Sequence, residues 1–185
     1  MFEKIRSEFL IGKVLVKQNC LDGRGYTLDL KQDDNSIKCV LKAKCNLEMK
    51  SFEIECEKDF DDEDLFFANG YQAWTTTREF SKFDKFDGLI KAANINKFVK
   101  HFAGLSGDYH FESYGEEGKF HAYTYCYFRE MGEKEIKLYG SRSERNGFTI
   151  FAVDMKDDKF IIRKDVDGLK LKAGQEYELF DIAII

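Results

Sequence analysis

Apolar and polar residues alternate with a period of two along most of the chain. Such alternation is typical of strands that have one buried face and one solvated face. In the run 47–57, for example, Phe52, Ile54 and Cys56 share one face, and glutamates occupy the other. The pattern predicts strands at 13–18, 26–31, 37–43, 47–57, 120–129, 134–141, 148–154, 159–165 and 176–185.

Turn-forming residues separate these runs. The cluster 33–36 and the pairs Asp157-Asp158 and Asp167-Gly168 predict turns. Asn146-Gly147 predicts a hairpin, because both residues tolerate positive φ. About ten strands separated by turns every 8–12 residues indicate an antiparallel β-sandwich, so we predict an all-β fold.

The middle of the chain follows a different pattern. Residues 65–86 have no clean period, and the stretch 90–102 carries apolar residues at helical spacing after Asn94, which can cap a helix. We therefore expect one or two short helices beside the sheets. No repeat, linker or low-complexity segment divides the sequence, so residues 1–185 are predicted to form a single domain.

Composition narrows the possible partners. The chain has 185 residues, of which 43% are hydrophobic and 15% aromatic, enough for a buried core of strands. A net charge of −5 with interspersed signs argues against binding to nucleic acid or to an anionic membrane. No apolar run approaches the roughly 20 residues of a membrane span, and no signal peptide precedes the first strand. Five cysteines without a C-x-x-C pair indicate reduced thiols, so we predict a cytoplasmic protein.

Established catalytic motifs are missing from the sequence. The three histidines, His101, His110 and His121, are not accompanied by a Gly-x-Ser-x-Gly elbow or a zinc-protease motif. A glycosidase needs two carboxylates at a fixed separation, but 34 acidic residues make some chance pair unavoidable. The residues alone therefore leave open whether the chain is an enzyme.

The segment 66–80, FFANGYQAWTTTREF, carries the most chemical information. It contains the single tryptophan, Trp74, and Tyr71, whose rings can cover the C–H face of a sugar. Asn69, Gln72 and Arg78 supply planar polar groups that can bind hydroxyls. We predict these five residues as substrate-binding. The alternative is that Trp74 packs in the sandwich core.

The run Asn69-Gly70-Tyr71-Gln72-Ala73-Trp74 resembles the N-G-Y-Q-S-W motif of glycoside hydrolase family 36, which contains α-galactosidases. A second stretch, from Tyr139-Gly140-Ser141 to Phe151 and on to the closing strand, is similar in order. Ala73 departs from the family's serine, which removes one hydroxyl. The resemblance implies the N-terminal β-supersandwich domain of that family.

The resemblance also implies a function. The family's nucleophile and acid/base are aspartates in a (β/α)₈ barrel, and nothing in this chain matches that barrel. We therefore expect a non-catalytic domain, inactive in isolation, of a longer retaining α-galactosidase that needs no metal or organic cofactor. The apolar run 179–185, which ends without a turn, gives the same expectation of a longer protein.

In this reading Trp74 forms one wall of the galactose site. The implied partners are a galactose-containing oligosaccharide, bound together with the barrel, and further copies of the chain in a homo-oligomer. Two alternatives stay open. The first is a free-standing carbohydrate-binding module, which needs an exposed aromatic platform. The second is a purely structural interaction domain.

Overall fold

The structure, a computed structural model, describes residues 2–11, 14–18, 22–70, 77–86, 115–145 and 147–185; for 2–11, 14–18 and residue 167 only the backbone is described. These residues contain thirteen strands in two antiparallel sheets, which confirms the predicted all-β sandwich. The helix predicted over 90–102 lies outside the described residues. The strands are β1 Phe2–Ile11, β2 Val14–Gln18, β3 Tyr26–Gln32, β4 Ser36–Ala43, β5 Leu47–Glu57, β6 Leu65–Ala68, β7 Arg78–Ser81, β8 Lys119–Tyr123, β9 Tyr125–Arg129, β10 Lys137–Ser141, β11 Phe148–Asp154, β12 Lys159–Leu171 and β13 Glu176–Ile184.

The two sheets divide the chain unevenly. The six-stranded sheet has the order β2-β1-β5-β12-β11-β8, and the seven-stranded sheet has the order β3-β4-β13-β10-β9-β6-β7. The first strand, β1, was not predicted; it pairs with both β2 and β5. Below, the outer face of the seven-stranded sheet means the face that points away from the six-stranded sheet.

Aromatic side chains fill the space between the sheets. Phe52 of one sheet lies 5.7 Å from Phe180 of the other, measured between ring centroids. Phe160 lies 5.0 Å from both Phe128 and Tyr139, with the rings close to edge-on. Each buried aromatic or aliphatic side chain contributes roughly 1.5–3 kcal/mol, so this layer accounts for the high aromatic content.

The predicted strand 120–129 is two strands. It breaks at Thr124, whose φ of 69° lies in the left-handed region that β-branched residues rarely adopt. The chain leaves the six-stranded sheet at the end of β8 and enters the seven-stranded sheet as β9. The alternation predicts one strand because even-numbered residues face the core on both sides of the break, as buried Ala122 and Cys126 show.

Two of the turn predictions were wrong, because the chain makes a different connection at each place. Asn146-Gly147 is not a hairpin turn, because β10 and β11 belong to different sheets; residue 146 itself lies outside the described residues. Gly147 is nevertheless required, since its φ is 100° and an added Cβ would lie 2.1 Å from the carbonyl oxygen of Asp165. Asp167-Gly168 is a bulge within β12 that shifts its register against β5.

The turn predicted at Asp157-Asp158 is confirmed. It joins β11 to β12 as an antiparallel hairpin, and Asp158 has a φ of 52°. The cluster 33–36 likewise joins β3 to β4, with the Asp33 carboxylate accepting hydrogen bonds from the Asn35 amide and the Ser36 hydroxyl.

Buried thiols make the stability of this fold sensitive to alkaline pH. Burial raises the pKa of Cys39 and of Cys56 to about 12, and it raises the pKa of fully buried Cys126 well above its ordinary value. The unfolded chain releases these thiol protons near the ordinary cysteine pKa, while the folded chain keeps them. The stabilisation is therefore complete below that pKa and is lost as the pH rises toward the folded value.

We predict that the free energy of unfolding falls by about 2 kcal/mol for each fully buried thiol between about pH 8 and about pH 10. Urea unfolding with reductant present measures it. The double variant Cys39→Ala/Cys126→Ala should show a pH dependence smaller by about 4 kcal/mol over this range, whatever its stability at neutral pH. An unchanged pH dependence in the double variant contradicts the prediction.

Candidate functional site

The predicted sugar-binding segment includes two paired strands, and its residues 71–76, named the 71–76 loop below, lie between those strands in the sequence. β6 and β7 are antiparallel, and the Gly70 amide donates a hydrogen bond to the Thr77 hydroxyl at 3.1 Å. This contact closes the base of the loop 71–76. Tyr71, Gln72 and Trp74 belong to that loop and lie outside the described residues, so their roles stay predictions.

Asn69 attaches the start of the loop to the other sheet. Its side-chain nitrogen donates to the carbonyl oxygen of Tyr123 at 2.8 Å, and its own carbonyl accepts from the Tyr123 amide at 2.9 Å. The side chain therefore acts as a clamp between the end of β6 and the end of β8. These two hydrogen bonds fix the position of the Asn69 amide, while its contact with a sugar hydroxyl stays a prediction.

Arg78 begins β7 on the other side of the loop. Its guanidinium carbon lies 4.1 Å from the centroid of the buried Phe80 ring, a cation–π contact. One nitrogen lies 3.6 Å from the Asp84 carboxylate, and another donates to the carbonyl of Glu79 at 3.2 Å. Half of the side chain remains exposed, so the group is rigidly held and still accessible to a hydroxyl.

The second stretch that resembles the family meets the first at the strand break. The Thr124 amide donates to the carbonyl of Thr149 at 3.1 Å, and the Ser141 amide donates to the carbonyl of Thr124 at 2.7 Å. Thr124 directly follows Tyr123, the residue that Asn69 clamps. The segments 69–78 and 139–151, distant in sequence, are therefore joined through two consecutive residues.

A buried lysine supports this junction from inside the sandwich. Lys164 of β12 is 1% exposed, and its ammonium donates to the Thr149 hydroxyl at 3.0 Å and to the carbonyl of Ser143 at 3.4 Å. The Glu144 carboxylate lies 3.6 Å away and also accepts from the Thr149 amide at 2.8 Å. Burial lowers the pKa of Lys164, and the Glu144 carboxylate opposes that shift.

Sequence reasoning missed Lys164, although a signal was present. The core-facing positions of its strand run Phe160, Ile162, Lys164, so the alternation places a charge where an apolar residue is expected. A charge at a core position requires a buried partner. The partner comes from the 141–149 connection, whose path the sequence pattern did not predict.

Aromatic rings also gather on the outer face of the seven-stranded sheet. Phe67 stacks on Tyr127 at 4.6 Å with the planes 4° apart, and on Tyr125 at 6.0 Å with the planes 20° apart. Glu79 accepts hydrogen bonds from the Tyr127 hydroxyl at 2.8 Å and from Arg129 at 2.7 Å. Alternation placed Tyr123 on the same face as Tyr125, but the break at Thr124 separates them.

Comparisons with known proteins identified no relative of this chain. A scan of protein-family models and searches of curated proteins and of solved structures found no match to the chain. The described residues contain no group of three or more His, Cys, Asp or Glu side chains that could hold a metal ion. In the same part of the chain, no helix has the length and apolar character needed to cross a membrane.

We predict that Lys164→Met lowers the free energy of unfolding by about 2–4 kcal/mol, because it removes the ammonium that offsets the Glu144 charge and that donates to Thr149 and Ser143. The matched control is Lys159→Met on the same strand, where the ammonium pairs with Asp157 at 3.6 Å in solvent. That change should stay within about 0.5 kcal/mol of the parent. Urea unfolding measures both, and equal effects contradict the assigned role.

Proposed function

We propose that this chain is a non-catalytic domain of a retaining α-galactosidase and that its 71–76 loop supplies one wall of the galactose site. The single observation that carries the proposal is the junction at Tyr123 and Thr124. Both stretches that resemble family 36 contact these two residues, through Asn69 on one side and Ser141 and Thr149 on the other. A contact between the two stretches supports the proposal that they belong to one site.

The described residues on both sides of the 71–76 loop are held in place. The Gly70–Thr77 hydrogen bond closes the base, the Asn69 clamp ties it to β8, and Arg78 rests on Phe80. A side chain that lines a sugar site contributes most when its position is fixed before the sugar arrives. Trp74, carried by this loop, is proposed to cover the apolar face of the galactose ring.

The chemistry of hydrolysis is proposed to reside in a (β/α)₈ barrel joined to this domain. Retaining hydrolysis needs a nucleophilic carboxylate and an acid/base carboxylate about 5–5.5 Å apart, and in the family both come from the barrel. The domain's own contribution is then to orient the sugar and exclude water. Neither task requires a metal or an organic cofactor.

The proposal predicts that the natural polypeptide containing this domain is larger than 21.6 kDa and cleaves aryl α-galactosides. Antibodies against the chain can isolate it from its source cell for mass spectrometry and activity assays. Peptides of this domain and of a (β/α)₈ barrel should come from one polypeptide. The purified 185-residue chain is the control and should show no turnover. A natural protein of 21.6 kDa, or turnover by the purified chain, contradicts the proposal.

A fluorescence titration of Trp74 separates this proposal from the free-standing module. A half-site lacks the groups that complete the sugar contact, so the tryptophan emission of the isolated chain should not saturate below millimolar galactose, melibiose or raffinose. Saturation at micromolar sugar favours the module instead. The Trp74→Ala variant tests the structural alternative. If Trp74 packs in the sandwich core, this variant loses about 3–5 kcal/mol of its free energy of unfolding.

A further inference from the structure

Tyr125 presents an aromatic ring on the outer face of the seven-stranded sheet. It is 37% exposed, and Phe67 stacks against it. Phe67 is held in turn by Tyr127, whose hydroxyl is fixed by Glu79. The exposed ring is therefore backed by neighbours that set its orientation.

Gly140 lies directly opposite Tyr125 on the neighbouring strand β10. Nothing in the backbone requires glycine there, because its φ is outside the left-handed region and an added Cβ would make ordinary contacts, 3.5 Å to Leu138 and 3.9 Å to Tyr125. Glycine weakens a strand interior, so it needs another reason at this position. Its effect is to keep space open beside the Tyr125 ring.

Hydrogen-bonding groups lie two residues further along the same face. The guanidinium of Arg142 donates to the Asp181 carboxylate at 2.9 Å, and the Lys38 ammonium lies 3.3 Å from its other oxygen. Strand spacing places the Arg142 backbone about 5 Å across and about 7 Å along the sheet from Tyr125, and Asp181, one strand further, about 10 Å across. The space between the Tyr125 ring and these groups is large enough for about one pyranose ring. The side chains of Arg142 and Lys38 are about half exposed, so donors remain available.

We propose that this part of the outer face binds a neutral pyranose ring, which stacks on Tyr125 above Gly140 and donates and accepts hydrogen bonds at Arg142 and Asp181. An exposed ring beside planar polar groups is the combination that recognises a sugar's C–H face and its hydroxyls together. This site does not use Trp74 and goes beyond the proposed galactose wall.

The local charge favours a neutral ligand over an anionic one. The positive charges of Lys38 and Arg142 are balanced by the carboxylates of Asp181 and Asp33. The pKa of Asp33 is lowered chiefly by the hydrogen bond that it accepts from the Asn35 amide and also by the charge of Arg142. Two positive and two negative groups leave no excess cation to pair with a carboxylate or a phosphate. Sugars with charged substituents therefore gain nothing at this surface.

The test is a raffinose titration of the complete chain, followed by ¹H–¹⁵N NMR. A single stacked ring with a few hydrogen bonds predicts a Kd on the order of 1–10 mM. The amide signals of Tyr125, Gly140 and Arg142 should shift together along one binding curve. Tyr125→Ala should weaken binding roughly ten-fold or more, because it removes the stacking surface.

Gly140→Gln is the decisive variant. It fills the space beside the ring on a solvated face where a side chain fits, so the fold is kept while raffinose binding falls roughly ten-fold or more. The matched control, Thr27→Gln on the distant edge strand β3, should bind as the parent does. Circular dichroism and the unchanged dispersion of the remaining amide signals establish that the variants are folded.

Three results overturn this site. The first is the absence of any shift up to about 100 mM raffinose, well above the expected range. The second is binding that survives both Tyr125→Ala and Gly140→Gln. The third is binding that only Trp74→Phe removes, which places the sugar at the 71–76 loop and leaves the proposed galactosidase function intact. Tighter binding of galacturonate than of galactose by ten-fold overturns the preference for a neutral ring.

Discussion

The arrangement of this domain depends on one backbone constraint, the passage of the chain from one sheet to the other at Thr124. A β-branched residue with a φ of 69° is unfavourable by itself, so its neighbours must hold it. Hydrogen bonds to Thr149 and Ser141 do so from the two sheets. Because the chain changes sheets here, the Tyr123 backbone at the end of β8 meets Asn69, while the Tyr125 ring lies on the outer face of the seven-stranded sheet.

The polar junction beside this bend shows how the sandwich accepts a charge in its interior. Lys164 occupies a core position, but the 141–149 connection folds over it and supplies Glu144, Thr149 and a carbonyl. Gly147 makes that path possible, because any side chain would collide with the Asp165 carbonyl. The same connection that buries the lysine thus fixes Ser141 and Thr149 at the bend.

Two proposed sugar contacts follow from this arrangement, and they differ in kind. The 71–76 loop is proposed as half of a pocket that another domain completes, whereas the Tyr125 surface offers a ring and hydrogen-bonding groups within this chain. The proposed surface uses Gly140 of the second resembling stretch, and the loop uses the first. The two proposals therefore assign a role in sugar binding to each of the stretches that resemble family 36.

The period-two alternation determined the fold class, because a sheet with one buried face imposes that pattern wherever its strands lie. It also determined most strand positions, while the turn-forming residues determined the turns at 33–36 and Asp157-Asp158. The alternation had limits. It could not reveal the break at Thr124, since the core parity continues through it, nor that Asn146-Gly147 joins two different sheets. Only the tertiary structure decided which strands pair, because long-range pairing is not encoded in local patterns. That pairing brings together the residues of three contacts: Asn69 with Tyr123, Lys164 with Glu144, and Tyr125 with Gly140.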